Sequence, residues 1–194
     1  ARVGKRPECV HDLTWSVLAE SPVGETDRLG HAHAFTYPPS LAQAVDALAG
    51  WPGVTAFVEI KRSSLRRFGR ETVLRRVSEV LRPVLDRCVL ISFDLPSVKI
   101  LRLMTGARVG WVLSQYDADA QAQAVELAPQ FLFCNLERLP AEPEPLWPGP
   151  WEWALYEVRD LKTARDCHAR GARFVETMAV QGLLHAYAES RHQW

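Results

Sequence analysis

Three short segments carry residue types able to move protons or hold an anion. The first is His11-Asp12, preceded by Pro7-Glu8-Cys9-Val10. The second is Val58-Glu59-Ile60-Lys61, closing the apolar run Val54–Lys61. The third, Pro39-Ser40-Leu41, lies between them and opens a helix. Residues two apart on a strand share a face, so Glu59 and Lys61 point the same way. A carboxylate and an ammonium ending an otherwise apolar strand suit the mouth of a parallel barrel, where such folds place their active sites. Either charge alone would be costly there unless paired or bound to a metal. A plain salt-bridged strand end is the competing reading, and spacing leaves both open.

The elements that must position these residues are six short runs, most of them nearly continuous in apolar residues: Val54–Lys61, Cys88–Phe93, Arg108–Leu113, Phe131–Asn135, Trp151–Glu157 and Arg173–Thr177. Such runs read as strands buried on both faces of a parallel sheet. Helical patterns fall between them. Arg70–Arg87 repeats Val and Leu at helical spacing, with Pro83 expected to kink it or end it early. Ser40 and Gln43 form a capping box for a helix over Leu41–Leu48. Pro96 suits the first turn of a helix ending near Gly106, Asp117 and Asp160 read as N-caps, and Gly171 reads as a C-cap.

Alternating strands and helices predict an α/β fold, either a (β/α)8 TIM barrel or an open doubly wound sheet. No GxGxxG follows a strand, which disfavours the dinucleotide-binding form. A full barrel has eight strands in about 250 residues. Six are visible, so the expectation is one barrel domain over residues 1–194 lacking its first two βα units. Residues 16–39 lack periodicity and read as a functional loop; Pro140–Pro150, with five prolines, reads as a stiff connector.

The 194 residues carry 23 basic and 23 acidic side chains and are 47% hydrophobic. With no net charge there is no general field to attract nucleic acid or an anionic membrane, so a bound anion needs a local site. No apolar run reaches the roughly 18 residues of a membrane helix. The four dispersed cysteines contain no CxxC, arguing against a zinc ribbon, and Cys88 and Cys134 read as buried thiols. The expectation is a soluble cytoplasmic protein.

Taken together, Pro-x-x-x-His-Asp, the long loop, Pro-Ser-Leu and Val-Glu-Ile-Lys resemble the glycerophosphodiester phosphodiesterase family. Ser92-Phe93, Gly110–Leu113, Tyr156–Asp160 and Gly171–Thr177 are similar to later segments of that family, in order. The resemblance implies a (β/α)8 barrel that hydrolyses glycerophosphodiesters, small molecules, to an alcohol and glycerol 3-phosphate with a divalent cation, Mg²⁺ or Ca²⁺. It implies His11 as one of two acid–base histidines, Glu59 as a metal ligand, Lys61 as a phosphate contact and Tyr156 as a substrate contact. The family's opening His-Arg-Gly and Glu-x-Asp motifs are not found in these residues; they belong to the two units the strand count lacks. Glu157 stands where the family prefers Thr, and Met178 where it often has Asp.

Two alternatives to this hydrolase are a non-catalytic barrel binding a phosphate ligand or a partner, and a phospholipase D-type enzyme of the same fold. Unpaired sheet edges make a homo-oligomer the expected state. His31 and His33 read as loop residues rather than metal ligands, Ser92 lies in no nucleophile elbow, and the tryptophans read mainly as packing. Arg62, Arg66, Arg67 and Arg70 read as a solvated helix entrance.

Overall fold

In a computed structural model, described over residues 6–141 and 144–191, the apolar runs become strands. They are β1 (Ala56–Glu59), β2 (Cys88–Ser92), β3 (Arg108–Val112), β4 (Phe131–Asn135), β5 (Glu152–Tyr156) and β6 (Ala172–Val175). They form one sheet in chain order, and every pairing from β2–β3 to β5–β6 is parallel. Sequential parallel order is the winding of a barrel; a doubly wound sheet reverses direction part-way.

The aromatic contacts show that the sheet curls. At about 4.8 Å per strand, β1 and β4 would lie roughly 14 Å apart in a flat sheet. Yet the Phe57 ring lies 5.2 Å from Phe131 and 5.3 Å from Phe133 on β4, and 6.1 Å from Phe174 on β6. The concave face therefore buries one apolar cluster, with Val89, Ile91, Val112, Phe131, Phe133 and Ala154 at its centre. The result is a six-stranded half-barrel.

The helices begin and end where the sequence marks them. Ser40 and Gln43 form the capping box of Leu41–Ala49, and Asp94 caps Leu95–Thr105, which Gly106 ends in a left-handed conformation (φ 65°). Asp117 and Asp160 cap Ala118–Leu127 and Leu161–Ala169. Gly171 falls one residue beyond the C-cap, which is Arg170; its φ of 106° suits glycine. At Pro83 the helix Arg70–Leu81 gives way to a 3-10 turn, Arg82–Arg87, as expected of a missing N–H.

The stretch 16–39 is less irregular than expected: it contains helical turns at Trp15–Ala19 and Thr26–Leu29 and a 3-10 turn at His31–His33. Of the connector Pro140–Pro150, residues 142 and 143 lie outside the described residues, and the rest holds no helix or strand. No helix among the described residues is long and apolar enough to cross a membrane.

Contacts divide the chain into two units, one made of the chain up to Ala56 with Ser63–Cys88, the other of Phe57–Arg62 with the chain from Val89 on. In the first, the helices Leu41–Ala49 and Arg70–Leu81 pack together, and Arg87 donates to the carbonyls of Leu48 (2.8 Å) and Trp51 (2.9 Å). The second holds the half-barrel.

Candidate active site

Within the half-barrel, alternation places Glu59 on the same face as Phe57, and Tyr156 on the same face as Ala154. Both Phe57 and Ala154 belong to the concave core, so Glu59 and Tyr156 are the inward residues that end β1 and β5 at the C-terminal side of the sheet. That is the side where barrel chemistry is done. Glu59 Oε2 accepts from Lys61 Nζ at 2.5 Å. Its other oxygen, Oε1, is buried and has no hydrogen-bond partner among the described residues. The Lys61 side chain is 64% exposed against 25% for Glu59, so the pair runs from the sheet interior to solvent.

Burial pushes the Tyr156 phenol above its ordinary pKa; Cys134 and the carboxylates of Glu59 and Glu176 act in the same direction and Arg138 against it. These groups therefore share one electrostatic environment. Glu176 and Arg138 were not singled out by sequence; the signal available was their place just past the ends of β6 and β4.

Arg62 departs from the solvated helix entrance read from its sequence neighbours. Its Nη2 donates to the Phe93 carbonyl (2.7 Å) and to Ser114 Oγ (2.8 Å), and the guanidinium lies over the Phe93 ring at 5.3 Å. Arg138 donates to the Ser114 carbonyl. Ser114 thus joins the segments that follow β1, β3 and β4, and Arg62 fixes the backbone directly after Lys61. Ser92 Oγ, fully buried, donates to the Ile60 carbonyl (2.8 Å) and accepts from the Asp94 N–H (3.0 Å); its role is to tie strand ends.

His11 belongs to the other unit. It sits in the 3-10 turn Val10–Asp12, with Nε2 3.3 Å from Ser64 Oγ and Nδ1 3.7 Å from Cys9 Sγ. Asp12 accepts from Arg67 at 3.2 Å. His31 and His33 are exposed.

The orphaned oxygen of Glu59 suits one ligand position of a hard cation. Among the described residues, however, no group of three or more His, Cys, Asp or Glu side chains is placed to hold a metal. One carboxylate does not make a Mg²⁺ or Ca²⁺ site, so these residues alone do not fit the cation.

No family model matches the sequence, and no curated protein matches it. Solved structures do. An Oleispira antarctica phosphodiesterase in complex with the product sn-glycerol-3-phosphate matches with a TM-score of 0.73 at 16% identity, over 93% of this chain and 73% of that one. A glycerophosphodiester phosphodiesterase from Parabacteroides distasonis matches with a TM-score of 0.66 at 17% identity, over 90% of this chain and 72% of that one. The chain has the fold of glycerophosphodiester phosphodiesterases. At these identities it is the fold that is shared.

Proposed function

We propose that this protein hydrolyses glycerophosphodiesters to an alcohol and glycerol 3-phosphate. The observation that carries the reading is the Glu59–Lys61 pair at the C-terminal mouth of a half-barrel: one carboxylate oxygen on the ammonium, the other buried and unpartnered. Support comes from the fold shared with phosphodiesterases, one of which holds glycerol 3-phosphate.

In this reading Lys61 faces a non-bridging phosphoryl oxygen, whose charge grows during P–O cleavage and is best met by a fixed cation. Tyr156 borders the same space and contacts the glycerol or phosphate. His11, in the other unit, is read as an acid–base group able to give a proton to a leaving alkoxide. A divalent cation, Mg²⁺ or Ca²⁺, would join Glu59 only with further oxygen ligands from outside the described residues. In the same reading these residues supply six strands of an eight-stranded barrel. The other two, with the His-Arg and Glu-x-Asp motifs, come from outside these 194 residues. The open edges favour self-association, which light scattering measures.

The single carboxylate ligand found among the described residues favours a second reading, a barrel that binds a phosphate ester without cleaving it. Release of glycerol 3-phosphate from glycerophosphocholine, with Mg²⁺ or Ca²⁺ and then with chelator, separates the two. Turnover lost in Glu59→Gln and His11→Ala supports the hydrolase. Turnover untouched by both changes sinks the site. Calorimetric binding of glycerol 3-phosphate without turnover supports the second reading.

A further inference from the structure

One face of the helix Arg62–Phe68 grips the His11-Asp12 segment. Ser64, Arg67 and Phe68 stand at i, i+3 and i+4, the spacing that aligns side chains on a helix. Ser64 Oγ meets His11 Nε2 at 3.3 Å, Arg67 holds Asp12 at 3.2 Å, and the Phe68 ring packs edge-on against the imidazole at 5.6 Å. On the other side of the ring, Nδ1 faces Cys9 Sγ at 3.7 Å. Both ring nitrogens therefore have a side-chain partner, and the ring plane is fixed.

The two partners are unequal. A hydroxyl donates well, whereas a thiol is a weak donor and its sulfur a weak acceptor. A neutral imidazole offers one strong lone pair and one N–H, and the bond at one nitrogen decides which is which. The best match puts the Ser64 hydroxyl proton on the Nε2 lone pair and leaves the ring's own proton on Nδ1, facing sulfur. We propose that Ser64 is a positioning residue that holds His11 as its Nδ1–H tautomer, with Nε2 kept as the basic nitrogen. The proposal rests on the reading of His11 as an acid–base group, and adds which nitrogen carries the proton and what aims it. The contact orients the neutral ring; for Nε2 to pass a proton to an alkoxide the Ser64 hydroxyl turns aside, since one ring nitrogen cannot serve both partners.

The test is a two-bond ¹H–¹⁵N correlation spectrum of the neutral ring in the wild-type protein, Ser64→Ala, Ser64→Thr and Cys9→Ser, with His11→Gln assigning the signal. The expected wild-type pattern is a pyrrole-type Nδ1 and a pyridine-type Nε2. Ser64→Ala should shift population to the Nε2–H tautomer and Ser64→Thr should restore the original pattern. In turnover, Ser64→Ala should lower kcat by about 10- to 100-fold with KM unchanged, and Ser64→Thr should recover it. A wild-type ring found as the Nε2–H tautomer, or nitrogen shifts unmoved by Ser64→Ala, overturns the proposal whatever the activity. A tautomer change with undiminished turnover supports the Ser64 contact and overturns instead the assignment of His11 to the chemistry.

Discussion

Lys61 Nζ and Glu59 Oε2 lie 2.5 Å apart, yet the pair is lopsided: the lysine is mostly in solvent and the glutamate mostly out of it. An exposed ion pair contributes about 0–1 kcal/mol to stability, because water already solvates the ammonium. Lys61→Met should therefore cost only about 1 kcal/mol by urea denaturation, most of it from the partly buried Glu59 carboxylate left without its partner. Its effect on turnover should be far larger, a fall of at least about 100-fold, since a fixed charge facing developing anionic character is worth roughly 3 kcal/mol or more. Denaturation and steady-state kinetics on the same sample check this. Equal losses in both would mean the pair is structural.

Arg62 carries the opposite expectation. Its bonds to Phe93 and Ser114 join segments 31 and 52 residues away in the chain. Each hydrogen bond from a charged donor contributes about 1.5–3 kcal/mol at most, less where solvent competes. Arg62→Ala should cost about 1–2 kcal/mol by urea denaturation and should also lower turnover, because the backbone after Lys61 loses its anchor. A double-mutant cycle with Ser114→Ala should show the two changes to be less than additive.

These two residues mark where the sequence was legible and where it was not. β4 occupies the apolar run Phe131–Asn135 as read, since five consecutive apolar-dominated residues buried on both faces have few other uses. β1 is shorter than the run Val54–Lys61, beginning at Ala56 because the Val54 N–H turns back to the Trp51 carbonyl at 3.0 Å. β5 stops at Tyr156 because Glu157 adopts a left-handed φ of 70°. Caps were legible because their bonds span three residues. The function of Arg62 was hidden because its partners are distant in sequence, and in composition it resembles its solvated neighbour Arg66. The Ser64, Arg67 and Phe68 face was hidden for the same reason: the residues it grips lie more than 50 positions upstream.

The cysteines give a labelling prediction. Cys9 is exposed, whereas Cys88, Cys134 and Cys167 are buried. A disulfide reagent near pH 8 should modify Cys9 quickly and the other three only after unfolding. Fast reaction of more than one thiol per chain in native buffer would contradict the packing.

Cys134 also predicts a pH dependence. Burial pushes its thiol from 9.0 to about 11. Between those values the unfolded chain has released the proton and the folded chain retains it. The folded state then binds more protons, so stability falls as pH rises. The contribution is fully present below about pH 9 and lost by about pH 11, with a ceiling near 3 kcal/mol. Denaturation midpoints from pH 8 to 11 should decline more steeply for the wild type than for Cys134→Ala.

Gly110 tests the curl of the sheet itself. It lies on β3 beside Ile91 on β2 and Phe131 on β4, facing the concave core. A Cβ at this position would stand 3.0 Å from Ile91 Cγ2, 3.1 Å from Phe133 Cε2 and 3.2 Å from Phe131 Cβ. Two of these atoms are ring or backbone-proximal carbons in a packed interior and have little room to give. Overpacking of this kind typically costs about 1–3 kcal/mol. Gly110→Ala should therefore lower the unfolding free energy, read by urea denaturation, by that amount, although alanine is otherwise easier on a strand than glycine. In a flatter sheet the flanking strands would splay apart and the added methyl would fit. A neutral or stabilising Gly110→Ala would mean the strands do not converge on the Phe57 cluster, and Glu59 and Tyr156 would no longer share a mouth.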